Sequence, residues 1–289
     1  MSVLLGIQCY DAQGDARRRQ DGAVAALAAL AASRDDVDAV NLQWADSIFH
    51  ADGLRTLASL REDSRTASGI PRGPRKPIVR EMLDLLCDEA ARTGRRWFGA
   101  MNADIVVTAA AIDRVVGGGR DGYAFSRVDV EAATGREVEL VTAGLDLFVF
   151  SVDWWRANRE RFRAYVAGEP VWDNVYAAIL LAHSDGEIVN RQGLVRHERH
   201  PAGDWRASPL AEYTHLLAAL DSVYFTLWAH YFDGLQRLRP AGVPGDEAAE
   251  RALRERVFRY APSPGERTRQ AIRGIRARLR YARHLRRAR

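Results

Sequence analysis

Cysteine and long apolar runs are both scarce in this chain. Two cysteines, Cys9 and Cys87, occur among 289 residues. Two thiols cannot form a disulfide framework, and both lie in apolar contexts, so we expect reduced thiols in a cytosolic compartment. The first residues lack the positive start of a signal peptide and become polar at Gln8. The apolar run 22–32 is shorter than the ~20 residues of a membrane span, so we interpret it as a helix packed on a sheet.

Lysine is almost absent, because Lys76 is the single lysine and every other basic residue is arginine. The basic residues are also unevenly distributed. The tail 267–289 holds ten of the 42 basic residues and none of the 38 acids, so the formal charge of +4 conceals a mildly acidic body. The body has neither a basic face nor a stacking motif, which argues against nucleic-acid binding.

The order of apolar patterns predicts the fold class. The first part alternates strands at 2–10, 37–44 and 96–108 with helices at 15–33, 77–94 and 109–119. This alternation is typical of a parallel sheet with crossover helices. The patterns that follow are strands at 122–132, 136–142 and 145–152, helices at 153–166 and 170–186, a strand and polar loop at 186–200, and a helix at 207–238. We therefore predict an α/β fold, a Rossmann-like mixed sheet flanked by helices with a helical C-terminal extension.

A polar interruption at Asn102 and Asp104 is the first candidate site. The apolar stretch 97–107 breaks at these two residues and then resumes. Ligands of open α/β sheets bind at the carboxyl ends of the strands, and a carboxylate there can hold Mg²⁺ together with phosphate oxygens. Asp104 can equally cap the helix that follows or form an Asx-turn. Spacing alone leaves both interpretations open.

Two further carboxylates have candidate catalytic roles. Asp146 lies inside the apolar segment "GLDLFVF", where a buried acid is costly unless it is paired or functional. Asp173 follows Trp172 near the start of a predicted helix. It can act there as an N-cap, or as a general base whose pKa a partly apolar pocket raises.

Two histidines, His197 and His200, fall in a polar loop. Imidazole is a ligand of transition metals. A pair of surface histidines without a ligand role is nevertheless the commoner arrangement.

The order of these motifs resembles a known family. Four segments follow the basic stretch "RGPRKPIVREMLD", and they are "FGAMNADIVVT", "TAGLDLFVFSVDWW", "PVWDNVYAAI" and "VRHERHP". Their order and spacing are similar to those of glycosyltransferases of the A-type nucleotide-diphospho-sugar transferase fold. The resemblance includes a bacterial group with an Asn-X-Asp form of the Asp-X-Asp motif. It covers roughly residues 2–205. We accordingly divide the chain into a transferase domain 1–205, a helical extension 206–266 and a basic tail 267–289.

The resemblance implies a metal-assisted donor site. Asp104 matches the residue that binds the metal and the diphosphate, and the cofactor is a divalent cation, Mn²⁺ or Mg²⁺. Asn102 matches the first position of the motif, where one negative charge is missing, so the implied metal site is weaker or dispensable. His197 or His200 matches a late histidine that completes the metal site in some members.

The remaining implied roles concern the base and the nucleotide. Asp173 matches the general base of inverting members, although Trp172 stands where another acid often precedes it. Asp146 lies in the stretch that lines the sugar and acceptor pocket, and it is the second candidate base. The residues implied to approach the phosphates are Arg72, Arg75, Lys76 and Arg80, and those implied to border the nucleoside are Gln8 and Tyr10.

The resemblance therefore implies transfer of a sugar from a nucleotide-diphosphate donor to a hydroxyl group of a glycan or lipid-linked acceptor. Two alternatives remain. A sugar nucleotidyltransferase of similar architecture would need a Gly-rich basic loop after the first strand, where only "DAQGDARRRQDG" occurs. A non-catalytic, membrane-associated module of the same fold would explain the Asn102 variant.

The arginine-rich tail has helical periodicity. Its apolar residues recur at spacings of three or four, and they are Ile272, Ile275, Leu279, Ala282 and Leu285. A basic amphipathic helix predicts binding to an anionic membrane surface, and hence a cytoplasmic protein at the inner face of the membrane. The alternative is a solvated tail, or one docked on the acidic body. The aromatic segment 213–232 has more apolar surface than one helix face needs, which predicts a homodimer contact.

Overall fold

The computed structural model describes residues 2–132, 134–189, 193–200, 207–238, 246–259 and 263–288. Within these ranges a single nine-stranded sheet forms the centre of the molecule. Its strands are β1 (Val3–Ile7), β2 (Val37–Trp44), β3 (Arg55–Leu60), β4 (Trp97–Met101), β5 (Ile105–Val107), β6 (Gly122–Val130), β7 (Glu137–Ser151), β8 (Glu187–Val189) and β9 (Val195–Glu198). The strand order is β3-β2-β1-β4-β7-β6-β9-β5, and β8 also pairs with β6.

The sheet has a parallel half and an antiparallel half. Strands β3, β2, β1 and β4 run parallel, as the strand–helix alternation predicts. Strand β7 pairs antiparallel with both β4 and β6. The register between β6 and β7 is irregular from Phe125 to Val128, and such irregularities bend a strand. Although only three residues separate β4 from β5, β5 lies at the far end of the strand order, which a curled sheet allows. The predicted α/β class, a mixed sheet flanked by helices with a helical C-terminal extension, is confirmed.

Helices cover both faces of the sheet. They are α1 (Gly14–Ala32), α2 (Ser64–Ser68), α3 (Val79–Arg92), α4 (Ala109–Gly118), α5 (Val152–Asn158), α6 (Trp172–His183), α7 (Ala211–Leu220), α8 (Ser222–Leu238), α9 (Glu247–Phe258) and α10 (Pro264–Ala288). Helices α1 and α4 contribute to the apolar cluster on one face. Helices α3, α5 and α6 contribute to the cluster on the other face. Helix α3 is an example, because its buried residues recur at spacings of three and four and so form one apolar face.

Several predicted boundaries are wrong. The predicted strands 136–142 and 145–152 form one strand, β7. The predicted helix 153–166 ends at Asn158 and continues only as a 3-10 turn, because Phe162 and Tyr165 turn inward and are buried. The predicted helix 207–238 is two helices that meet at Asp221. The buried carboxylate of Asp221 accepts hydrogen bonds from Arg163 Nε at 2.7 Å and from the Tyr165 hydroxyl at 3.1 Å, and these bonds fix the chain there.

The C-terminal helices pack on the same core as the sheet. Trp228 and Tyr231 of α8 belong to the apolar cluster that includes α3 and α6. Packing of α8 against α6 and α9 accounts for much of the apolar surface of 213–232, and the homodimer stays a prediction. The division at 205 also stays a prediction, and this boundary lies outside the described residues. Among the described helices, none has the length and apolar character that crossing a membrane requires.

Candidate active site

A cavity of about 510 Å³ opens at the carboxyl ends of β1 and β4, where ligands of α/β sheets bind. This volume lies within the range of roughly 300–1,000 Å³ that is usual for small-molecule sites. Predicted site residues that line it are Gln8, Tyr10, Lys76, Asn102, Asp104 and His200. The structure thus brings together residues from four separate sequence motifs.

Asp104 lies between two histidines. Its Oδ2 atom is 3.4 Å from His197 Nε2 and 3.3 Å from His200 Nε2. The pairing of β5 with β9 sets Ile105 opposite His197, which carries the histidine to the end of the turn that follows β4. Burial raises the pKa of Asp104, but hydrogen bonds from His197 and His200 outweigh burial and lower this pKa to about 2. Asp104 is therefore ionised at neutral pH. Helix α4 has Thr108 as its N-cap, so Asp104 is not a helix cap.

A second carboxylate orients His197. Asp129 Oδ1 lies 2.8 Å from His197 Nδ1, and the two residues are register partners on β6 and β9. Burial lowers the pKa of His197, but the carboxylates of Asp104 and Asp129 outweigh burial and raise it above its usual value. With Nδ1 bound to Asp129, His197 presents Nε2 to the Asp104 side. Carboxylate–imidazole pairs of this kind fix the ring of a metal-binding histidine.

Asn102 is held by Asp146, the residue that the sequence places inside an apolar strand. The Asn102 side-chain amide donates to Asp146 Oδ1, and the Asn102 backbone N–H donates to the Asp146 carbonyl at 3.0 Å. Arg127 Nη1 donates to Asp146 Oδ2 at 2.9 Å, and its Nε donates to Asp129 Oδ1 at 3.1 Å. Burial raises the pKa of Asp146 above its usual value, and the opposing effect of the Arg127 charge is smaller. Both oxygens of Asp146 accept hydrogen bonds, which explains how a carboxylate can be buried in this strand.

Asp173 lies in the first turn of α6, and Val171 is the N-cap residue. Asp173 Oδ2 accepts a hydrogen bond from the Leu145 backbone N–H at 3.2 Å, so the carboxylate joins α6 to β7. Burial raises the pKa of Asp173 to about 6, although the backbone N–H groups of Leu145 and Asn174 oppose this rise. A carboxyl with this pKa can take up a proton near neutral pH. Trp172, the preceding residue, lines the cavity, whereas Asp173 itself is not among the described residues of the cavity wall.

The backbone before Asp173 is strained. Val171 has φ +82°, and it is the one non-glycine residue with positive φ in the described chain. A β-branched residue in this region of φ is a rare outlier. Such strain persists only where the surrounding structure determines the backbone, and it is concentrated at functional sites.

Basic side chains border the cavity with different degrees of pairing. Lys76 Nζ is 2.7 Å from Oε1 of the buried Glu169, so part of its charge is compensated. Arg75 lies over the Trp44 ring at 4.5 Å and pairs with Asp63 at 3.1 Å. Arg19 of α1, which the sequence analysis did not single out, also lines the cavity. Among the described residues, its buried Nε has no hydrogen-bond partner.

Two of the predicted phosphate-binding arginines lie elsewhere. Arg80 pairs with Glu160 at 2.9 Å and with Asp84 at 3.6 Å, while Arg72 is exposed in the loop before α3. The part of the cavity wall formed by described residues includes neither of them. Their predicted role is not supported by this placement.

The turn after β1 is fixed by buried amides. Gln20 bonds to both the backbone N–H and the carbonyl of Tyr10, at 3.1 and 2.9 Å. Asn41 Oδ1 accepts from the Cys9 N–H at 3.1 Å, and Gln43 Nε2 donates to the Cys9 carbonyl at 2.7 Å. These bonds leave the Tyr10 side chain 51% exposed at the cavity. The polar residues inside "VNLQW" were the signal for this network in the sequence.

The donor atoms of the histidine cluster fit a divalent cation. Asp104, His197 and His200 each offer one ligand atom, and these atoms lie within 4.8 Å of one another. Mg²⁺ prefers oxygen ligands and retains water molecules, whereas imidazole suits transition metals. One carboxylate and two imidazoles therefore suit a transition-metal dication such as Mn²⁺ better than Mg²⁺.

Comparisons with known proteins find distant structural similarity. No protein-family model matches the sequence, and no curated protein matches it. The chain is similar to S. aureus TarS 1–349 in complex with UDP-GlcNAc, with 10% identity and a TM-score of 0.49 over 96% of this chain and 79% of that one. It is also similar to a glycosyltransferase involved in glycosylation of the major capsid of PBCV-1, with 9% identity and a TM-score of 0.35 over 70% of this chain and 96% of that one.

A third similarity is to mannose-1-phosphate geranyltransferase from Thermus thermophilus, with 14% identity and a TM-score of 0.33 over 56% of this chain and 60% of that one. All three similarities are distant, and they concern the arrangement of strands and helices alone.

Proposed function

We propose that this chain is an inverting glycosyltransferase that moves a sugar from a nucleoside-diphosphate donor to a hydroxyl group of a glycan or lipid-linked acceptor. The observation that carries this proposal is the histidine–carboxylate cluster at a cavity of about 510 Å³. The same cavity is bordered by cationic side chains and by Trp172, which precedes the weakly acidic Asp173.

The cavity wall supports a diphosphate donor. Arg19 and Ala16 place the first turns of α1 at the cavity, and the positive end of a helix dipole attracts phosphate. Lys76 and Arg75, in the segment that precedes α3, add positive charge to the cavity wall. The exposed ring of Tyr10 offers an apolar face for a nucleoside base. The side-chain nitrogen of Asn102 donates a hydrogen bond to Asp146. The side-chain oxygen of Asn102 is therefore the atom that can accept a hydrogen bond from the nucleotide sugar.

The transfer step forms one bond and breaks one bond. The acceptor oxygen attacks the anomeric carbon, and the bond from this carbon to the diphosphate oxygen breaks, with its electron pair remaining on the diphosphate. The proton of the acceptor hydroxyl passes to the Asp173 carboxylate. One base suffices for inversion, and Asp173 takes this role because both oxygens of the rival candidate, Asp146, accept hydrogen bonds from Arg127 and Asn102.

Asp104, His197 and His200 would hold the divalent cation. A bound cation supplies charge stabilisation to the diphosphate as negative charge develops on it. Asp129 and Arg127 keep this set of ligands oriented through hydrogen bonds.

Nucleotide binding tests the proposed function directly. We expect one of UDP, GDP and dTDP, or a sugar conjugate of one of them, to raise the melting temperature by roughly 5 °C at about 100 times its Kd. Mn²⁺ should be required, and EDTA should remove the shift. A shift that survives EDTA would support a transferase that binds its donor without a metal ion. The absence of any shift would favour the non-catalytic module, and pyrophosphate-releasing activity would favour the nucleotidyltransferase.

Replacing Asp129 tests whether it positions the ligand set. In Asp129→Asn the carboxylate that orients His197 is lost, and we expect Mn²⁺ affinity to fall roughly 10- to 100-fold, the usual effect of removing such a partner. Nucleotide affinity at saturating Mn²⁺ should change little, since Asp129 contributes nothing to the cavity wall formed by the described residues. Isothermal titration of Mn²⁺ measures the effect, and Asp153→Asn, an exposed acid on α5, is the matched control. Equal Mn²⁺ affinity in the two variants would contradict the positioning role.

A further inference from the structure

Helix α10 docks on the body through one narrow face. Tyr281 is buried, and its hydroxyl donates a hydrogen bond to the Ser68 carbonyl. Gly274 brings α10 close to α7, because a Cβ atom at this position would lie 3.3 Å from Leu220. Arg280 Nε pairs with Glu212 of α7 at 2.8 Å. The tail therefore binds its own chain, which was one of the two alternatives left open by the sequence.

The docked face is not the apolar stripe that the sequence predicts. Ile272, Ile275 and Leu279 are 43%, 57% and 58% exposed, because helical periodicity places them opposite Tyr281. Leu285, by contrast, packs against the body near Gly69. The predicted stripe of five residues is therefore split, and its first three residues remain exposed after docking.

Basic residues surround this exposed stripe. Residues 263–288 contain nine arginines and a single acid, Glu266. Between α7 and α10 lies a groove of about 260 Å³ whose basic lining residues are His215, Arg273, Arg276 and Arg280. On the helix Arg276 lies one turn after Ile272, and Arg273 lies between Arg276 and the docked face, so positive charge borders one edge of the apolar stripe.

We propose that the α7–α10 face, defined by Ile272, Ile275, Leu279, Arg273 and Arg276, is a docking surface for an anionic lipid bilayer. The three apolar side chains enter the boundary between headgroups and acyl chains, and the arginines contact lipid phosphates. The charge favours this occupant over a second copy of the chain, because a twofold contact through this stripe would bring two arginine-rich helices together. The inference goes beyond the proposed activity and does not depend on it.

Co-sedimentation of the full chain with vesicles tests this surface. We expect binding to vesicles of phosphatidylcholine mixed with phosphatidylglycerol, weaker binding as salt rises, and little binding to phosphatidylcholine alone. The variant Arg273→Gln/Arg276→Gln should reduce the partition coefficient roughly 10- to 30-fold. The variant Ile272→Ser/Ile275→Ser/Leu279→Ser should reduce it about tenfold or more, since each buried methylene contributes to insertion. All five positions lie at the surface, and melting curves check that the variants fold.

The matched control is Arg17→Gln/Arg136→Gln. It removes the same charge from side chains on α1 and in the turn before β7 that are 43% and 72% exposed, and it should bind as the wild type does. Equal losses of vesicle binding in the control and in Arg273→Gln/Arg276→Gln would contradict a binding surface localised on α10. Undiminished vesicle binding in the serine variant would contradict it as well. Binding of inorganic phosphate without binding of vesicles would also overturn the proposal, as would a dimer that is lost in the serine variant. Vesicle binding is measured without nucleotide, so its failure is independent of failure of the transferase proposal.

Discussion

Asp104→Ala is expected to abolish Mn²⁺-dependent nucleotide binding and to leave the fold intact. The variant removes the one carboxylate of the cluster and leaves two histidines. Loss of a ligand should exceed the roughly 10- to 100-fold loss that follows removal of a residue that only orients a ligand, so we expect Mn²⁺ affinity to fall at least about 100-fold. Isothermal titration of Mn²⁺ measures the loss of metal affinity, and titration of nucleotide with Mn²⁺ present measures the loss of nucleotide binding.

The control for this variant is Asp153→Ala, which removes an exposed acid of α5. Circular dichroism and melting curves should show folded protein in both variants. If Asp104→Ala binds nucleotide with wild-type affinity in the presence of Mn²⁺, Asp104 is not part of the donor site. Loss of the fold in Asp104→Ala would be resolved with His200→Ala, which removes a partly exposed ligand candidate and should also weaken Mn²⁺ binding.

Asp173→Asn is expected to lower turnover about 10²- to 10⁴-fold, the usual contribution of a general base, with little change in nucleotide affinity. The amide oxygen of asparagine can still accept the Leu145 N–H bond, so the start of α6 should be preserved. Release of nucleoside diphosphate from the donor that gives the thermal shift measures turnover, and Asp153→Asn is the control. A variant with wild-type turnover would exclude Asp173 as the base and leave Asp146 as the next candidate.

The pH profile supplies a second readout for Asp173. Its carboxylate must be ionised to accept the proton, and its pKa is about 6 instead of the usual 3.8. Turnover at saturating donor and Mn²⁺ should therefore be constant above this value and fall tenfold per pH unit below it. In Asp173→Asn this acidic limb should disappear from the residual rate. A limb that persists unchanged in the variant would assign it to another group.

The sequence predicted the polar residues Asn102, Asp104, Asp146 and His197, but it placed His197 in a loop, whereas this residue lies in β9. It missed Arg127 and Asp129 inside β6. Asp104 and Asn102 interrupt an apolar run, and such an interruption is visible in one dimension. Arg127 and Asp129 stand two residues apart on β6, where alternation places them on one face, but their partners lie on β7 and β9. Only the register of those strands shows that Arg127 binds Asp146 and that Asp129 binds His197.

The same limit explains the errors in the helical part. Periodicity predicted one helix over 207–238, since nothing in the local pattern shows that Asp221 binds Arg163 and Tyr165. In α10 the sequence located the apolar stripe, whereas the docking face depends on the smaller Gly274 and on Tyr281. Side-chain periodicity identifies which faces of a helix are apolar, and tertiary packing decides which of them is covered.

The pairing of β5 with β9 also has a consequence for the order of folding. Asp104 and His200 are 96 positions apart, and β5 contributes only three residues to the ladder. Contacts between distant segments form late, because a long loop must close before they become favourable. During synthesis β1 to β4 emerge from the ribosome well before β9, because the chain is made from its N-terminus. The histidine–carboxylate cluster can therefore be completed only after residues 195–200 have been synthesised.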